Sequence, residues 1–508
     1  MLLLAVVGAS GAGAARRPPG VLVKRVTVVG NSVFPDRVIE RVTARYEGRR
    51  LTLKDLRGIA REVEEFYHRH GYVLARAFLP EQEIVDGHVV VHVVEGRFGR
   101  VVVEGNDYYS ARFIRRLFWP ARRSDVVHLP EMEHALLVLN EYPDLTVQSV
   151  FKAGQEVGTS DVIIKVRDER PLHLELAADN FGTHLIGQDR VTAGVTAGNT
   201  LIEGDRLVLR GTQVTSGGSS PFLQVDYGWP VDRFGRRVSL GYANAITKVG
   251  AELAALDIRG RADILSLTLW SPLTRSVAVN SDWSIAFVAK AVENFIMATT
   301  PTSKDELRNL VLSYDRSKLD PGGKTVVALT LTQGLGQGLG GTAAGDTTAS
   351  RVGASASFTK VNADVTRIVH FSTLNQVLLH ASVQADSHPL TVPEQFALGG
   401  ADSVRGFEQS EFLGDHGYAV TAEYRRTFYE ADNTTVQGIA FADSGYAAID
   451  HPISNEISGK HLTGAGVGVR AQISSKTSVR LDVAAPVSPA KAADGSKSEV
   501  YAQVTTRF

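Results

Sequence analysis

The spacing of hydrophobic positions changes once along the chain, near residue 171. Before that point apolar residues recur at helical spacing, as they do across residues 56–67. After it, apolar and polar residues alternate in short runs separated by Gly, Ser, Asn and Asp, as in residues 500–508. This change predicts an N-terminal α+β part followed by more than 330 residues of β-structure.

A near-repeat organises the N-terminal part. The segment Arg25-Val-Thr-Val-Val-Gly-Asn31 recurs 75 residues later as Arg100-Val-Val-Val-Glu-Gly-Asn106. In each copy a β-branched run ends at Gly-Asn, which is typical of a strand followed by a turn. A repeat of this period predicts two copies of one small module.

The first copy continues with helical and then strand patterns. One helix is predicted over 35–46, and a second begins at Thr52, where Asp55 completes a capping-box pattern. Strands are predicted over 72–79 and His88–Val94, with turn residues between them. The element order is therefore β-α-α-β-β.

The second copy repeats that order. Ser110 is predicted to cap a short helix, and Pro130 lies near the start of another. Strands over 145–151 and 161–166 close the module. The sequence thus predicts two α+β modules, over 21–96 and 97–170.

The C-terminal part, 171–508, has the pattern of a transmembrane barrel. Apolar-out, polar-in strands of about 10 residues are typical of such barrels, although a β-sandwich also alternates and period alone leaves it open. The length, the small and aromatic apolar residues and a signal-like start favour a barrel. At about 20 residues per strand with its connection, we expect about 16 antiparallel strands. The sequence has no apolar run long enough for a membrane-spanning helix, so a span requires a closed barrel.

Residues 1–15 resemble a signal peptide. An apolar core over residues 2–7 is followed by small residues over 11–15. The basic leader that normally precedes the core is missing, so we expect a signal peptide that is truncated at its start.

Composition excludes several classes of protein. The net charge of −1 argues against a nucleic-acid binder, and the absence of cysteine excludes a disulfide framework. The spacing Gly336-x-Gly338-x-x-Gly341 matches a dinucleotide fingerprint only formally, because no strand and helix flank it; we expect a loop. His68 and His70 fit a helix end better than a metal site. We therefore predict no catalytic residue, no metal and no cofactor.

Two short motifs near the C-terminus carry the candidate site. The first is Val404-Arg405-Gly406-Phe407, which lies between Gly399-Gly400 and Gly414-Asp-His-Gly417. The second is Phe441-Ala-Asp443-Ser-Gly445, in which a period of two places Phe441, Asp443 and Gly445 on one strand face.

With these motifs and modules the chain resembles the two-partner secretion transporters, the haemolysin- and filamentous-haemagglutinin-secretion family of the outer-membrane assembly-factor superfamily. The resemblance runs from about Val21 to Phe508. It implies that residues 404–407 lie at the tip of a long extracellular loop folded back into the barrel. It further implies that Arg405 meets Asp443 on the inner wall, and that the C-terminal Phe508 is a barrel-insertion signal.

The same resemblance implies the domains. Residues 1–15 would be the signal peptide, 21–96 and 97–170 two periplasmic polypeptide-transport-associated (POTRA) modules, and 171–508 the outer-membrane barrel. Family members usually have an N-terminal plug helix. Here the first strand begins near Val21, so we expect either a truncated start or a member without the plug.

The function expected from the resemblance is export of a large secreted exoprotein, haemolysin- or adhesin-like, bound unfolded by the POTRA modules and passed through the lumen. Outer-membrane lipid and the barrel-assembly machinery would be the other partners, with no nucleic acid. An outer-membrane barrel-assembly factor is one alternative, although the two modules fit a secretion transporter better. A diffusion porin is another, and residues 21–170 count against it.

Overall fold

The computed structural model describes residues 20–454, 456–487, 492–493 and 495–508, so the predicted signal peptide lies outside it. The chain forms two compact units. One combines residues up to Glu104 with Trp119–Met132 and Ser149–Lys165, and the other combines Gly105–Phe118, Glu133–Gln148 and Val166–Phe508. Residues 97–170 therefore contribute to both units, and the domain boundaries given above stay predictions.

The first module has the predicted order with one additional strand pair. Its three-stranded sheet runs β2-β5-β4, with β2 parallel to β5, and β1 pairs antiparallel with β3. The elements are β1 Val21–Val23, β2 Arg25–Val29, α1 Asp36–Thr43, β3 Arg49–Leu51, α2 Leu53–Arg69, β4 Arg76–Phe78 and β5 His88–Val94, with a 3-10 turn at Ala44–Tyr46. The sequence predicted a first strand that begins near Val21, but it predicted neither the division of this strand into β1 and β2 nor the strand β3, because three residues are too few for an alternating pattern.

Helix α2 begins at the predicted capping box. The Asp55 N–H donates to Thr52 Oγ1 at 3.3 Å, and the Thr52 N–H donates to Asp55 Oδ2 at 2.9 Å. Leu56 and Ile59 of this helix belong to the buried core of the module. Each buried aliphatic side chain of this size contributes about 1.5–3 kcal/mol.

The second module contains the same kinds of element. Its sheet runs β6-β8-β7, with β6 parallel to β8. The elements are β6 Arg97–Glu104, α3 Ala111–Phe118, α4 Leu129–Leu139, β7 Leu145–Ala153 and β8 Thr159–Asp168, with a 3-10 turn at Trp119–Arg122.

The sequence repeat is also a repeat of contacts. Asn31 Nδ2 donates to the Phe34 carbonyl at 2.6 Å, and Asn106 Nδ2 donates to the Tyr109 carbonyl at 2.8 Å. In each copy a carboxylate from the last strand region accepts backbone N–H groups of the same loop. Glu95 accepts the N–H groups of Ser32 and Val33, and Asp168 accepts those of Asp107, Tyr108 and Tyr109.

Sixteen antiparallel strands close into a barrel, as the sequence predicted. They are β9 Leu172–Asp179, β10 Arg190–Gly198, β11 Arg206–Val214, β12 Phe222–Pro230, β13 Arg237–Lys248, β14 Arg259–Arg275, β15 Val279–Phe295, β16 Ser303–Asp320, β17 Gly323–Gly334, β18 Thr359–His370, β19 Asn375–Asp386, β22 His416–Ala431, β23 Thr434–Ala448, β24 Gly459–Gln472, β25 Thr477–Pro486 and β26 Glu499–Arg507. Two further short strands, β20 Phe396–Leu398 and β21 Phe412–Gly414, pair with each other inside the loop between β19 and β22.

Apolar side chains cover the outer face of the barrel strands. Tyr418, Val420 and Tyr424 of β22 are 40%, 42% and 43% exposed, whereas Glu423 and Asp443 are buried inside. Apolar-out, polar-in alternation is what a lipid environment requires of a barrel. Within the described part of the chain, none of the helices is both long and apolar enough to span a membrane.

The two ends of the barrel differ in their connections. At the proximal end, where β9 follows the second module, neighbouring strands are joined by short turns such as 321–322 and 432–433. At the distal end the connections include the long segments 335–358 and 387–415. The glycine-rich 336–341 segment lies in the first of these and forms a 3-10 turn at Gly336–Leu339, so it is a loop as predicted.

Part of the second module packs on the proximal end. Arg275, the last residue of β14, donates to Glu141 just after α4 and to Asp282 of β15. The Val277 N–H donates to Glu133 Oε1 at 2.8 Å. The turn between β14 and β15 is therefore bound to α4 and to the residues that follow it.

Candidate functional site: the loop inside the barrel

The loop over 387–415 brings its tip, residues 404–407, against the inner wall of the barrel. Val404 and Phe407 are fully buried and pack with Leu398, Ala419, Ala447 and Leu462. Ala419 and Ala447 come from β22 and β23, and Leu462 comes from β24. The apolar members of the first motif thus fix the tip to the wall.

Arg405 binds Asp443 as the resemblance implied. Its Nε donates to Asp443 Oδ2 at 2.8 Å and its Nη2 donates to Oδ1 at 3.0 Å, a bidentate pair. The Arg405 backbone N–H also donates to Oδ2, at 3.1 Å. Three donors of Arg405 therefore converge on the Asp443 carboxylate. The side chain of Asp443 is fully buried, so this carboxylate lies away from bulk solvent.

Two further carboxylates bind Arg405, and the motifs did not point to them. Arg405 Nη1 lies 2.9 Å from Glu423 Oε2 on β22 and 3.5 Å from Asp482 Oδ2 on β25. Both residues lie on the polar face of the alternating strand pattern. This position is the sequence feature that could have indicated that they face the lumen. Their convergence on Arg405 depends on the strand register of the closed barrel, which the sequence pattern does not specify.

These carboxylates belong to a larger network of alternating charge. Arg470 binds both Glu423 and Asp482, Arg425 binds Glu423, and Arg480 binds Asp482 and Asp402. Removing one partner of a buried pair costs roughly 3–5 kcal/mol, because the other charge stays buried without compensation. The network therefore favours a single docked position of the loop tip.

The aromatic ring of Phe441 contacts the guanidinium of Arg405. The Cζ atom of Arg405 lies 3.3 Å from the centre of the Phe441 ring, a cation–π contact. Gly466 on the neighbouring strand makes room for this ring, because a Cβ there would lie 2.5 Å from Phe441 Cζ.

Glycines allow the tip to approach the wall. Gly406 has φ +97° and its N–H donates to the Tyr501 hydroxyl at 3.0 Å, while that hydroxyl donates to the Phe407 carbonyl at 2.6 Å. A Cβ on Gly464 would lie 1.7 Å from the Arg405 carbonyl oxygen. Gly445, from the second motif, similarly makes room for Leu398, whose Cδ1 would lie 2.6 Å from an added Cβ.

A second contact holds the loop beside the tip. His184, in the connection between β9 and β10, donates its backbone N–H to Glu408 Oε1 at 2.9 Å, and its Nδ1 lies 2.7 Å from Glu408 Oε2. The hydrogen bond with Glu408 raises the pKa of His184 above its usual value, and Glu252, 3.2 Å from Nε2, adds to this effect.

The first module has a groove beside the edge strand of its sheet. Strand β2 pairs with β5 and has no second strand neighbour among the described residues. The groove, about 180 Å³, lies between β2 and α1, and its lining from the helix comprises Asp36, Ile39, Glu40 and Thr43.

Glu95 fixes the loop next to this groove. It accepts the Ser32 and Val33 N–H groups at 2.7 and 2.9 Å and the Tyr67 hydroxyl at 2.9 Å. Burial alone would raise the pKa of Glu95, but these hydrogen bonds outweigh it and lower the pKa.

A closed sixteen-stranded barrel with an arginine loop docked inside it, preceded in the chain by α+β modules, has the architecture of an outer-membrane β-barrel protein. The profile of the haemolysin secretion/activation protein family ShlB/FhaC/HecB matches residues 158–471, and that of the ShlB-type POTRA domain matches 21–96. The chain belongs to this family.

Relatives of known function agree with this assignment. The heme/hemopexin transporter protein HuxB of Haemophilus influenzae (strain 86-028NP) is 23% identical over 466 residues, covering 87% of this chain and 79% of the relative. The outer membrane transporter CdiB of Dickeya dadantii is 24% identical, covering 74% and 67%.

Solved structures share the fold. CdiB from Escherichia coli superposes with a TM-score of 0.83 at 21% identity, covering 98% of this chain and 93% of that one. BamA from Haemophilus ducreyi lacking POTRA domains 1–3 gives 0.55 at 15%, covering 96% and 100%. As a member of the family whose model matches residues 158–471, the protein is a two-partner secretion transporter of the outer membrane, and its POTRA modules are periplasmic. The proximal end of the barrel is therefore periplasmic and the distal end extracellular.

Proposed function

We propose that this transporter captures a single large exoprotein, haemolysin- or adhesin-like, in unfolded form at its first POTRA module and passes it through the barrel lumen. The observation that carries the capture step is the edge of β2 beside its groove. An extended chain that adds to a sheet edge gains backbone hydrogen bonds, while pockets along the edge select side chains.

The edge of β2 has a donor already directed outward. The Val26 N–H donates to Glu47 Oε1 at 3.1 Å, and Glu47 is exposed. A carbonyl of an incoming strand can replace this carboxylate. Ile39 is buried at the groove while Asp36 and Glu40 are exposed, so the groove favours an extended segment with an apolar side chain flanked by basic or polar residues.

Site-specific photo-crosslinking tests the capture step. A photoreactive residue at Glu40 should crosslink one secreted protein in cells, identified by mass spectrometry. The same probe at Arg61, an exposed position on α2, should give less than about a tenth of that product. Equal yields at the two positions would contradict capture at the β2 edge.

Passage through the lumen is the second part of the proposal. The loop tip packs on β22–β26, and we propose that the exported chain moves beside or past it, with folding outside the cell driving transport. In this proposal the protein acts as a conduit without enzymatic activity or cofactor. A deletion strain should lack one large secreted protein; loss of many outer-membrane barrels would instead support an assembly factor, and loss of small-solute uptake alone a porin.

The other proposed partners follow from the barrel surface. The outward apolar side chains would contact lipid. Phe508 is 57% exposed, and its N–H donates to the Leu174 carbonyl, near the start of β9, at 2.8 Å. We propose that the barrel-assembly machinery reads this residue during insertion.

A further inference from the structure

Two aspartates and a histidine converge at the extracellular end of the barrel. Asp386 is the last residue of β19, His416 is the first of β22, and Asp450 follows β23 by two residues. One potential ligand atom from each lies within 4.8 Å of the others. We propose that these three side chains bind a Zn²⁺ ion.

Asp386 has a carboxylate oxygen that the protein leaves unsatisfied. Its side chain is 1% exposed, and its Oδ2 has no hydrogen-bond partner among the described residues. Leaving a buried polar group without a partner is costly, and more so when the group is charged. A cation in contact with both carboxylate oxygens of Asp386 would satisfy this oxygen.

The charges around the cluster also favour a divalent cation. A third carboxylate, Asp415, is satisfied by Arg351, by the Leu390 N–H at 3.0 Å and by the Asp450 N–H at 2.6 Å. The guanidinium of Arg351 is thus committed to Asp415, and it also donates to the Asp450 carbonyl. The side-chain carboxylates of Asp386 and Asp450 face His416, which can neutralise at most one of them.

The two distances from His416 to the carboxylates fit ligands that share a metal ion. His416 Nδ1 lies 3.5 Å from Asp386 Oδ1 and 3.4 Å from Asp450 Oδ1. These separations exceed the usual hydrogen-bond length of about 2.7–3.2 Å. Two ligands about 2.0–2.2 Å from a tetrahedral Zn²⁺ ion are separated by roughly 3.3–3.5 Å.

The donor set selects the class of metal. Imidazole nitrogen suits Zn²⁺ and its neighbours among the transition metals, whereas Ca²⁺ and Mg²⁺ prefer oxygen ligands throughout. Three protein ligands leave a fourth tetrahedral position for a solvent oxygen. Two of the three ligands stand on strand ends, which hold donor atoms in place better than loops do.

The position of the cluster gives the ion a structural role. Asp386 immediately precedes the loop over 387–415 and His416 immediately follows it. The ion would therefore hold together the two ends of the loop that carries Arg405. Through Asp450 it would also connect these ends to the next extracellular connection, which follows β23. Bound Zn²⁺ should stabilise the folded barrel by mass action.

Calorimetric titration of the full-length, tag-free, EDTA-treated protein with Zn²⁺ alone tests the site. We expect one equivalent to bind and to raise the temperature at which the barrel unfolds in a heat-modifiability gel. Asp386→Asn and His416→Ala should each weaken binding at least about tenfold and abolish the thermal shift. Barrel folding of each variant is checked by the same gel without metal.

The matched controls are Asp189→Asn and His388→Ala, two exposed residues of other extracellular positions. Both should bind Zn²⁺ as the wild type does. Absence of stoichiometric binding, equal binding by the Asp386→Asn and His416→Ala variants, or tighter binding of Ca²⁺ or Mg²⁺ than of Zn²⁺ would each overturn the proposal. A proton shared between Asp386 and Asp450 would give the first of these results.

Discussion

At the scale of single residues, Arg405 is the centre of the docked loop. It is bound by Asp443, Glu423 and Asp482 and lies over Phe441. A planar guanidinium can bind these carboxylates and contact the ring at the same time, whereas a lysine ammonium on a flexible side chain cannot form a bidentate pair. Since about 1.4 kcal/mol changes a population tenfold, losing contacts worth roughly 3–5 kcal/mol would undock the tip.

We therefore predict that Arg405→Ala and Arg405→Lys reduce export at least tenfold while the barrel remains inserted. Asp443→Ala should be milder than Arg405→Ala, because Glu423 and Asp482 still hold the guanidinium. Export is measured as secreted partner, and insertion by heat-modifiability.

The double variant Arg405→Ala/Asp443→Ala should be no worse than Arg405→Ala, because coupled residues are not additive. Arg210→Ala is the control, since its 3.6 Å ion pair with Glu175 is half-exposed and contributes at most about 1 kcal/mol. Wild-type export by both single alanine variants, or fully additive defects, would refute the pairing.

Gly464 gives a second test at this scale. Gly464→Ala should displace the loop tip, because the new Cβ would meet the Arg405 carbonyl oxygen, and export should fall several-fold with the barrel still closed. Gly194→Ala in β10 is the control, since the nearest atom to its Cβ would be 3.7 Å away. Increased proteolysis at residues 399–411 in the Gly464 variant alone is the expected signature; equal proteolysis in both would contradict it.

Residue-level prediction from the sequence reached the two motifs but not their surroundings. The sequence indicates Arg405, Asp443 and Phe441 because each lies within a recognisable short motif. Glu423 is one polar-face residue among many, and Gly464 is one glycine in a glycine-rich strand. Their importance arises only when strands far apart in sequence are brought into register.

At the scale of elements, the loop over 387–415 is held at its tip and again beside it. The contact of Glu408 with His184 depends on protonation of the imidazole. Because the pKa of His184 is raised by Glu408, the charged pair stabilises the docked loop fully below the ordinary pKa of about 6.5. This stabilisation is lost as pH rises through the raised value.

Hydrogen exchange of residues 399–411 should therefore become faster, relative to His184→Gln, as pH increases from 6 to 9. The comparison with the variant removes the intrinsic pH dependence of amide exchange. An identical pH profile for wild type and His184→Gln would rule out this contact as an anchor.

Element boundaries were predicted well where the pattern is long. The capping box located the start of α2, and His88–Val94 is β5. Strand β4 covers only Arg76–Phe78 of the predicted 72–79, because the preceding residues form turns after α2 instead of pairing with β5. Short elements pair through tertiary context, which a local pattern does not contain.

At the scale of the whole molecule, we propose separate tasks for the POTRA modules and the barrel. Residues 133–148 belong to the same compact unit as the barrel and bind its periplasmic turn through Glu141 and Arg275. Removing the second module would leave Arg275 without one of its two carboxylates, so deletion of the first module alone is the cleaner experiment.

Deletion of residues 21–96 should leave a heat-modifiable barrel in the outer membrane, because the closed sheet satisfies its own backbone. Export of the partner should fall below detection. Normal export by this variant would show that the first module does not select the partner.

The docked loop tip has a consequence for the order of folding. Its binding partners within the wall come from β22, β23, β24, β25 and β26, which are consecutive in the chain and start directly after the loop. Contacts between segments close in sequence form faster than distant ones, since less loop entropy is lost. Strands β22–β26 can thus assemble as a nucleus around Arg405 before β9 meets β26. That closure joins the two ends of the barrel through five residue pairs. Arg405 would then serve the newly made chain first as a folding template and only afterwards as part of the transport path.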